Sequence, residues 1–238
     1  MKKFSGTEAL IVILLVVFIL EILFSSNIKQ IFHTFGLSLK ALEEEKWWVI
    51  ITSIFLHASP EHLVLNIIAL FFFGNAVEEK LGTRKMLAIF FLSALGGELA
   101  VISASLLGFQ PYDIPTIGAS GGIFGLMGAA MLVKPFEFII YPYLVPLPIF
   151  IIAIFYTISN ISLFLYHIAT GTQTDISYAA HLGGVLVGMY IGFKENKDKR
   201  ALLIFLIFLT LILFPVILSF LMSIEKFNYI AKLTEVIR

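Results

Sequence analysis

The sequence predicts an all-α polytopic membrane protein, and three observations carry that reading. Of the 238 residues, 59% are hydrophobic and 13% charged, against about 25% charged in an average soluble domain, and mean hydropathy is +0.99. Apolar runs recur at roughly 8–24, 61–78, 86–107, 117–133, 145–168, 178–193 and 201–222. A membrane helix takes about 20 apolar residues, so six or seven spans and their connections consume the chain and leave no room for a separate soluble domain. The formal net charge is zero, which gives no bulk attraction to nucleic acid. There is no cysteine, hence no disulfide or thiolate chemistry.

The first run follows "MKK". It lacks a small-residue cleavage site and is long enough to span, so it reads as a retained helix rather than a leader. Lys and Arg set the orientation. With the N-terminus inside, Lys2, Lys3, Lys80, Arg84, Lys85, Lys134, Lys194, Lys197, Lys199 and Arg200 are cytoplasmic, and Lys29, Lys40, Lys46, Lys226, Lys232 and Arg238 are outside. The short outer connections near 108–115 and 169–177 hold no Lys or Arg. Both facts favour a cytoplasmic N-terminus in a multi-pass cell-membrane protein.

Residues 25–60 form an unusually long outer connection. Its "EEEKWW" sets acids beside two tryptophans, and tryptophan favours the membrane–water interface. The segment is expected to be structured and partly embedded in the outer leaflet, and long connections in compact folds tend to be functional. No internal repeat is visible, which argues against a transporter built from paired halves.

The fourth run carries "TIGASGGIFGLMG", a serine among five glycines. From 117 to 133 it spans roughly 26 Å at ~1.5 Å per residue, short against a ~30 Å hydrocarbon core. Such a helix sits below the outer surface or thins the bilayer, and the mouth of a sunken helix is wet. Ser120 falls in its first turn, where unpaired N–H groups and the positive dipole end supply the elements of an oxyanion site. Gly118, Gly121 or Gly122, Gly125 and Gly128 form a stripe for close helix packing. "GASGG" also fits G-x-S-x-G, but that elbow needs a preceding strand, and none is expected here.

The sixth run opens "SYAAHLGGVLVGMYIG". His181 lies in its first turn, and Gly184, Gly188 and Gly192 follow at four-residue spacing on nearly the same face. Two glycine-striped helices in contact would bring His181 to Ser120. In the second run, His62 and Asn66 share a face, and both can donate to a developing oxyanion. His57 and His62 are five apart, unlike the i, i+4 zinc pattern, so no metal site is expected. The three aspartates, Asp113, Asp175 and Asp198, fall in connections, which leaves a Ser–His pair as the reactive arrangement. Glu98, a buried acid in the third run, reads as structural.

"HASPEHLVLN", "GASGGIFGLMG" and "AAHLGG" occur in this order on alternate spans, and in this the chain resembles the rhomboid intramembrane serine proteases over about residues 8–193. The resemblance implies a six-helix catalytic core at 1–193 with its long outer loop at 25–60. Residues 194–238 then hold a cytoplasmic linker, a seventh transmembrane helix and a short tail. It implies Ser120 as nucleophile, His181 as general base, and an oxyanion hole of His62, Asn66 and the Ser120 N–H. It further implies that Phe124 stacks on His181, that Glu78 is a structural acid at the inner end of the second helix, and that the active site opens outward. Where the family often has Trp-Arg in its first loop, this chain reads Trp47-Trp48-Val49. The implied substrates are transmembrane helices, admitted from lipid between the second and fifth spans, with no cofactor required. The alternative within the same fold is a catalytically inactive, client-binding membrane protein. No oligomeric state is implied.

Overall fold

A computed structural model describes residues 5–140, 146–171, 177–196, 204, 206–215 and 217. The protein is all-α and polytopic: among the described residues four helices are long and apolar enough to cross a membrane, Gly6–Leu23 (α1), Pro60–Leu81 (α5), Thr83–Leu106 (α6) and Ile149–Thr170 (α8). Three short helices, Ile28–Phe35 (α2), Leu39–Glu43 (α3) and Val49–Thr52 (α4), fold the connection between α1 and α5. Ser120–Val133 (α7) and Tyr178–Glu195 (α9) complete the packed set, and a further apolar helix covers Leu206–Pro215 (α10).

Local sequence sets each boundary. Ser5 caps α1 in a capping box with Glu8. Ser59 accepts from the His62 N–H ahead of Pro60, so cap and proline fix where α5 starts. Gly82, at φ 84°, reverses the chain between α5 and α6 in one residue. Gly171, in the left-handed region, ends α8. The Glu78 carboxylate accepts from the backbone N–H groups of Gly6 and Thr7 and from the Thr7 and Thr83 hydroxyls at 2.6–2.9 Å. It thereby ties the start of α1 to the α5–α6 turn.

α7 is the centre of the packing. It touches α5, α6, α8 and α9, and every residue from Gly121 to Val133 except Phe124 is buried. Glycine makes this possible. A Cβ on Gly184 would lie 2.0 Å from the Gly121 carbonyl oxygen, and one on Gly188 1.9 Å from that of Gly125. α7 and α9 therefore meet backbone to backbone. The outer faces carry Val16, Ile19, Phe71, Leu92, Leu99 and Phe155, the apolar exterior of a protein solvated by lipid.

Three expectations need correction. α7 begins at Ser120, not at 117, because the preceding backbone is bonded elsewhere. Thr116 exchanges two hydrogen bonds with Leu37, and the Gly118 N–H donates to the Ser53 carbonyl. Gly118, at φ 128°, thus lies outside α7 and off the α7–α9 stripe. The fifth apolar run becomes helical only at Ile149, since Leu147–Pro148 (β2) pairs with Phe138–Ile139 (β1) in a two-stranded ribbon. Of the seventh run, the described part is essentially α10, whose Phe208 and Ile212 are buried in the main core. Asp175, Asp198 and the tail after Ser223 lie outside the described residues.

Candidate active site

Ser120 is the first residue of α7, behind Ala119, which supplies no side-chain cap. The leading N–H groups of a helix have no intrahelical acceptor. The segment that delivers Ser120 is braced by the long connection between α1 and α5 through the Leu37–Thr116 bridge and the Gly118–Ser53 bond. Ser53 in turn donates its hydroxyl to Glu98 at 2.8 Å. Glu98 thus holds Ser53, and it also lines the cavity that Ser120 and His181 share.

His181 comes from the fourth position of α9. Its Nε2 lies 2.8 Å from Ser120 Oγ. The Phe124 ring, one turn along α7 from Ser120, stacks on the imidazole with centroids 4.0 Å apart and planes within 8°. The backbone contact of α7 with α9 sets this distance: both residues stand at the starts of helices that touch along their glycines.

His62 and Asn66 approach from α5. The Ala58 N–H points to His62 Nδ1 at 3.4 Å, so Nδ1 is an acceptor and Nε2 carries the proton. That Nε2 faces the bend before Ser120, where a Cβ on Gly118 would come within 3.0 Å of it. Gly118 is therefore needed for both its φ and its lack of a side chain. Asn66 uses one amide hydrogen on the His62 carbonyl at 2.8 Å, and its amide has a second. Gly121, Gly125, Gly184 and Gly188 all lie in the α6–α7–α9 packing. The His57 and His62 rings are tilted, 5.0 Å apart.

Ser120, His181, Phe124, His62, Asn66 and Gly118 share one cavity of about 710 Å³. Leu65, Asn66, Ala69 and Phe73 of α5 form one wall, and Phe155, Tyr156, Ser159 and Asn160 of α8 the other. Ser120, Phe124 and His181 line it between them. The cavity mixes an apolar corridor with a few convergent polar atoms, the usual make-up of a ligand site.

Sequence reasoning missed Asn160, whose Oδ1 lies 2.7 Å from His181 Nδ1. The available signal was a polar residue in the middle of an apolar span, which marks a functional position by default.

Comparison with known proteins identifies the family. Residues 44–198 match the family model of the rhomboid domain. Rhomboid protease GluP of Bacillus subtilis is 28% identical over 200 residues, covering 78% of this chain and 34% of that protein. Rhomboid protease AarA of Providencia stuartii is 30% identical over 185 residues, 71% of this chain and 60% of its own length. RHOMBOID-like protein 5 of Arabidopsis thaliana is 29% identical over 158 residues, 66% and 47% respectively. The chain thus spans only part of the length of these curated relatives. With two thirds of the sequence inside the family domain, this chain belongs to the rhomboid family.

Proposed function

We propose that the chain is an intramembrane serine endopeptidase that cleaves transmembrane segments of membrane proteins with a Ser120–His181 dyad. The observation that carries this reading is the 2.8 Å contact between Ser120 Oγ and His181 Nε2 inside a cavity walled by α5 and α8. The relatives that are named proteases support it at family level. In this reading α1 and α5–α9 form the six-helix membrane core, which ends with α9 at Glu195 rather than at 193, and the rest of the chain adds the linker, a seventh span and a tail. The N-terminus is cytoplasmic and the site opens to the outer face of the cell membrane.

Substrate enters from lipid between α5 and α8. A peptide bond inside a helix is hydrogen-bonded and shielded, so the segment unwinds before it is cut. Substrates with helix-weakening residues near the cut are therefore favoured. His181 Nε2 accepts the Ser120 proton as Oγ attacks the carbonyl carbon. The oxyanion is met by His62 Nε2–H, by Asn66 and by the Ser120 N–H at the positive end of α7. His181 then protonates the leaving amine. Water reaching the cavity from outside hydrolyses the acyl-enzyme, with His181 again as base.

The test is purified protein in detergent with a single-span substrate, wild type beside Ser120→Ala and His181→Ala, with fragments read by mass spectrometry. Cleavage by wild type and by neither variant is the expected result. Turnover by a folded variant rules out the dyad. A folded wild type that neither cleaves nor reacts with a fluorophosphonate supports the inactive, client-binding alternative.

A further inference from the structure

We infer that Asn160 is a positioning residue that fixes the tautomer and in-plane orientation of His181, so that the dyad works as a Ser120–His181–Asn160 relay. The inference rests on the protease reading above and extends it by one residue from a helix that carries neither member of the dyad.

Asn160 Nδ2 lies 2.8 Å from the Tyr156 carbonyl oxygen, one turn back on α8. A carbonyl oxygen only accepts, so the amide nitrogen must face it, and Asn160 Oδ1 must face His181 Nδ1 at 2.7 Å. Oδ1 also only accepts, so Nδ1 carries the imidazole proton. Nε2 is left with its lone pair toward Ser120 Oγ, 2.8 Å away. This is the tautomer a general base for the serine requires. Asn160 and His181 are both more than nine-tenths buried.

Two contacts then hold the ring in different ways. The stacked Phe124 sets its plane but leaves rotation within that plane and the choice of tautomer open. The Asn160 bond closes both. When His181 becomes an imidazolium, Nδ1–H donates to an oxygen already in place, with no reorganisation.

The test compares Asn160→Leu and Asn160→Asp with wild type and Ser120→Ala on a single-span substrate. Leucine removes the acceptor at similar size. Aspartate keeps the acceptor, and in its protonated form replaces the Nδ2 donor with O–H. Asn160→Leu should lower kcat about 10- to 100-fold with KM nearly unchanged, less than a substitution that imposes the wrong tautomer. Asn160→Asp should recover most of the rate. Nitrogen NMR of histidine-labelled wild type, with His181→Ala as the assignment control, should report Nδ1–H at His181 and thus needs no variant at Asn160 to fold. An Nε2–H tautomer in wild type overturns the inference. So does an unchanged kcat in Asn160→Leu while Ser120→Ala is inactive. Cleavage by Ser120→Ala overturns the underlying protease reading instead, which keeps the two failures distinct.

Discussion

Ser120 owes its position to bonds made before it. Thr116 is tied to Leu37, Gly118 donates to Ser53, and helix α7 starts immediately afterwards. On the α5 side, Asn66 is held by its bond to the His62 carbonyl, which orients its amide along the cavity wall. If its second N–H meets the oxyanion, Asn66→Ala removes one transition-state donor and should slow cleavage about 100-fold, the loss typical of one such donor. KM and thermal stability should stay close to wild type. A kcat equal to wild type in the purified variant removes Asn66 from the oxyanion site. At this scale the sequence was legible where chemistry and helix position coincide, as at Ser120 and His181, which lie in the first turns of their helices and meet, whereas the Phe124 stacking was implied only by the family resemblance. The sequence was not legible at Gly118, whose glycine spacing imitates a packing stripe while its φ of 128° belongs to a bend. Asn160 was hidden for another reason. Its meaning depends on which helix α8 packs against, and no spacing along one helix encodes that.

Between elements, the decisive contact is α7 on α9. A methyl group at Gly188 would sit 1.9 Å from the Gly125 carbonyl oxygen, which is backbone and has no rotamer to yield. At Gly121 the nearest atoms to a new Cβ are 3.5 and 3.8 Å away, ordinary van der Waals contact. The two glycines lie on the same interface and predict opposite outcomes. Gly188→Ala must push the helices apart, with a cost of about 1–3 kcal/mol or more, and should lower the melting temperature in detergent. Because that shift also parts His181 from Ser120, activity should fall with it. Gly121→Ala should melt near wild type. Equal melting temperatures for the two variants would mean that the backbone contact does not constrain the packing. The stripes on these helices were readable because close approach admits little besides glycine. The β1–β2 ribbon was not, because its strands are two residues each and β2, Leu147–Pro148, lies at the start of an apolar run that reads as one helix.

For the whole molecule, the helix directions bear on which side of the membrane the site faces. α5, α7 and α9 each begin at the active site, with Ser59–His62, Ser120 and Tyr178–His181, and run to an end marked by Lys80, Lys134 and Lys194. Of the four ion pairs among the described residues, one, Lys46 with Glu44, lies at the opposite end, and three lie at that far end, Lys85 with Glu195 and Lys134 with Glu79 and Glu137. The start of α1 is there too, held by Glu78. The active-site end instead carries the exposed Trp47 and Trp48 and a connection from Gly108 to Thr116 without Lys or Arg. By the positive-inside rule this distribution supports the proposed orientation, with the lysine end in the cytoplasm and the serine end outside. The chain has no cysteine, so single cysteines report directly. Ile114, 48% exposed at the serine end, and Phe136, 65% exposed at the lysine end, are both uncharged, and replacing them leaves the charge asymmetry intact. In intact cells a membrane-impermeant maleimide should label Ile114→Cys, and Phe136→Cys only after the membrane is permeabilised. The reverse pattern would turn the molecule over, and the cavity would then draw its hydrolytic water from the cytoplasm.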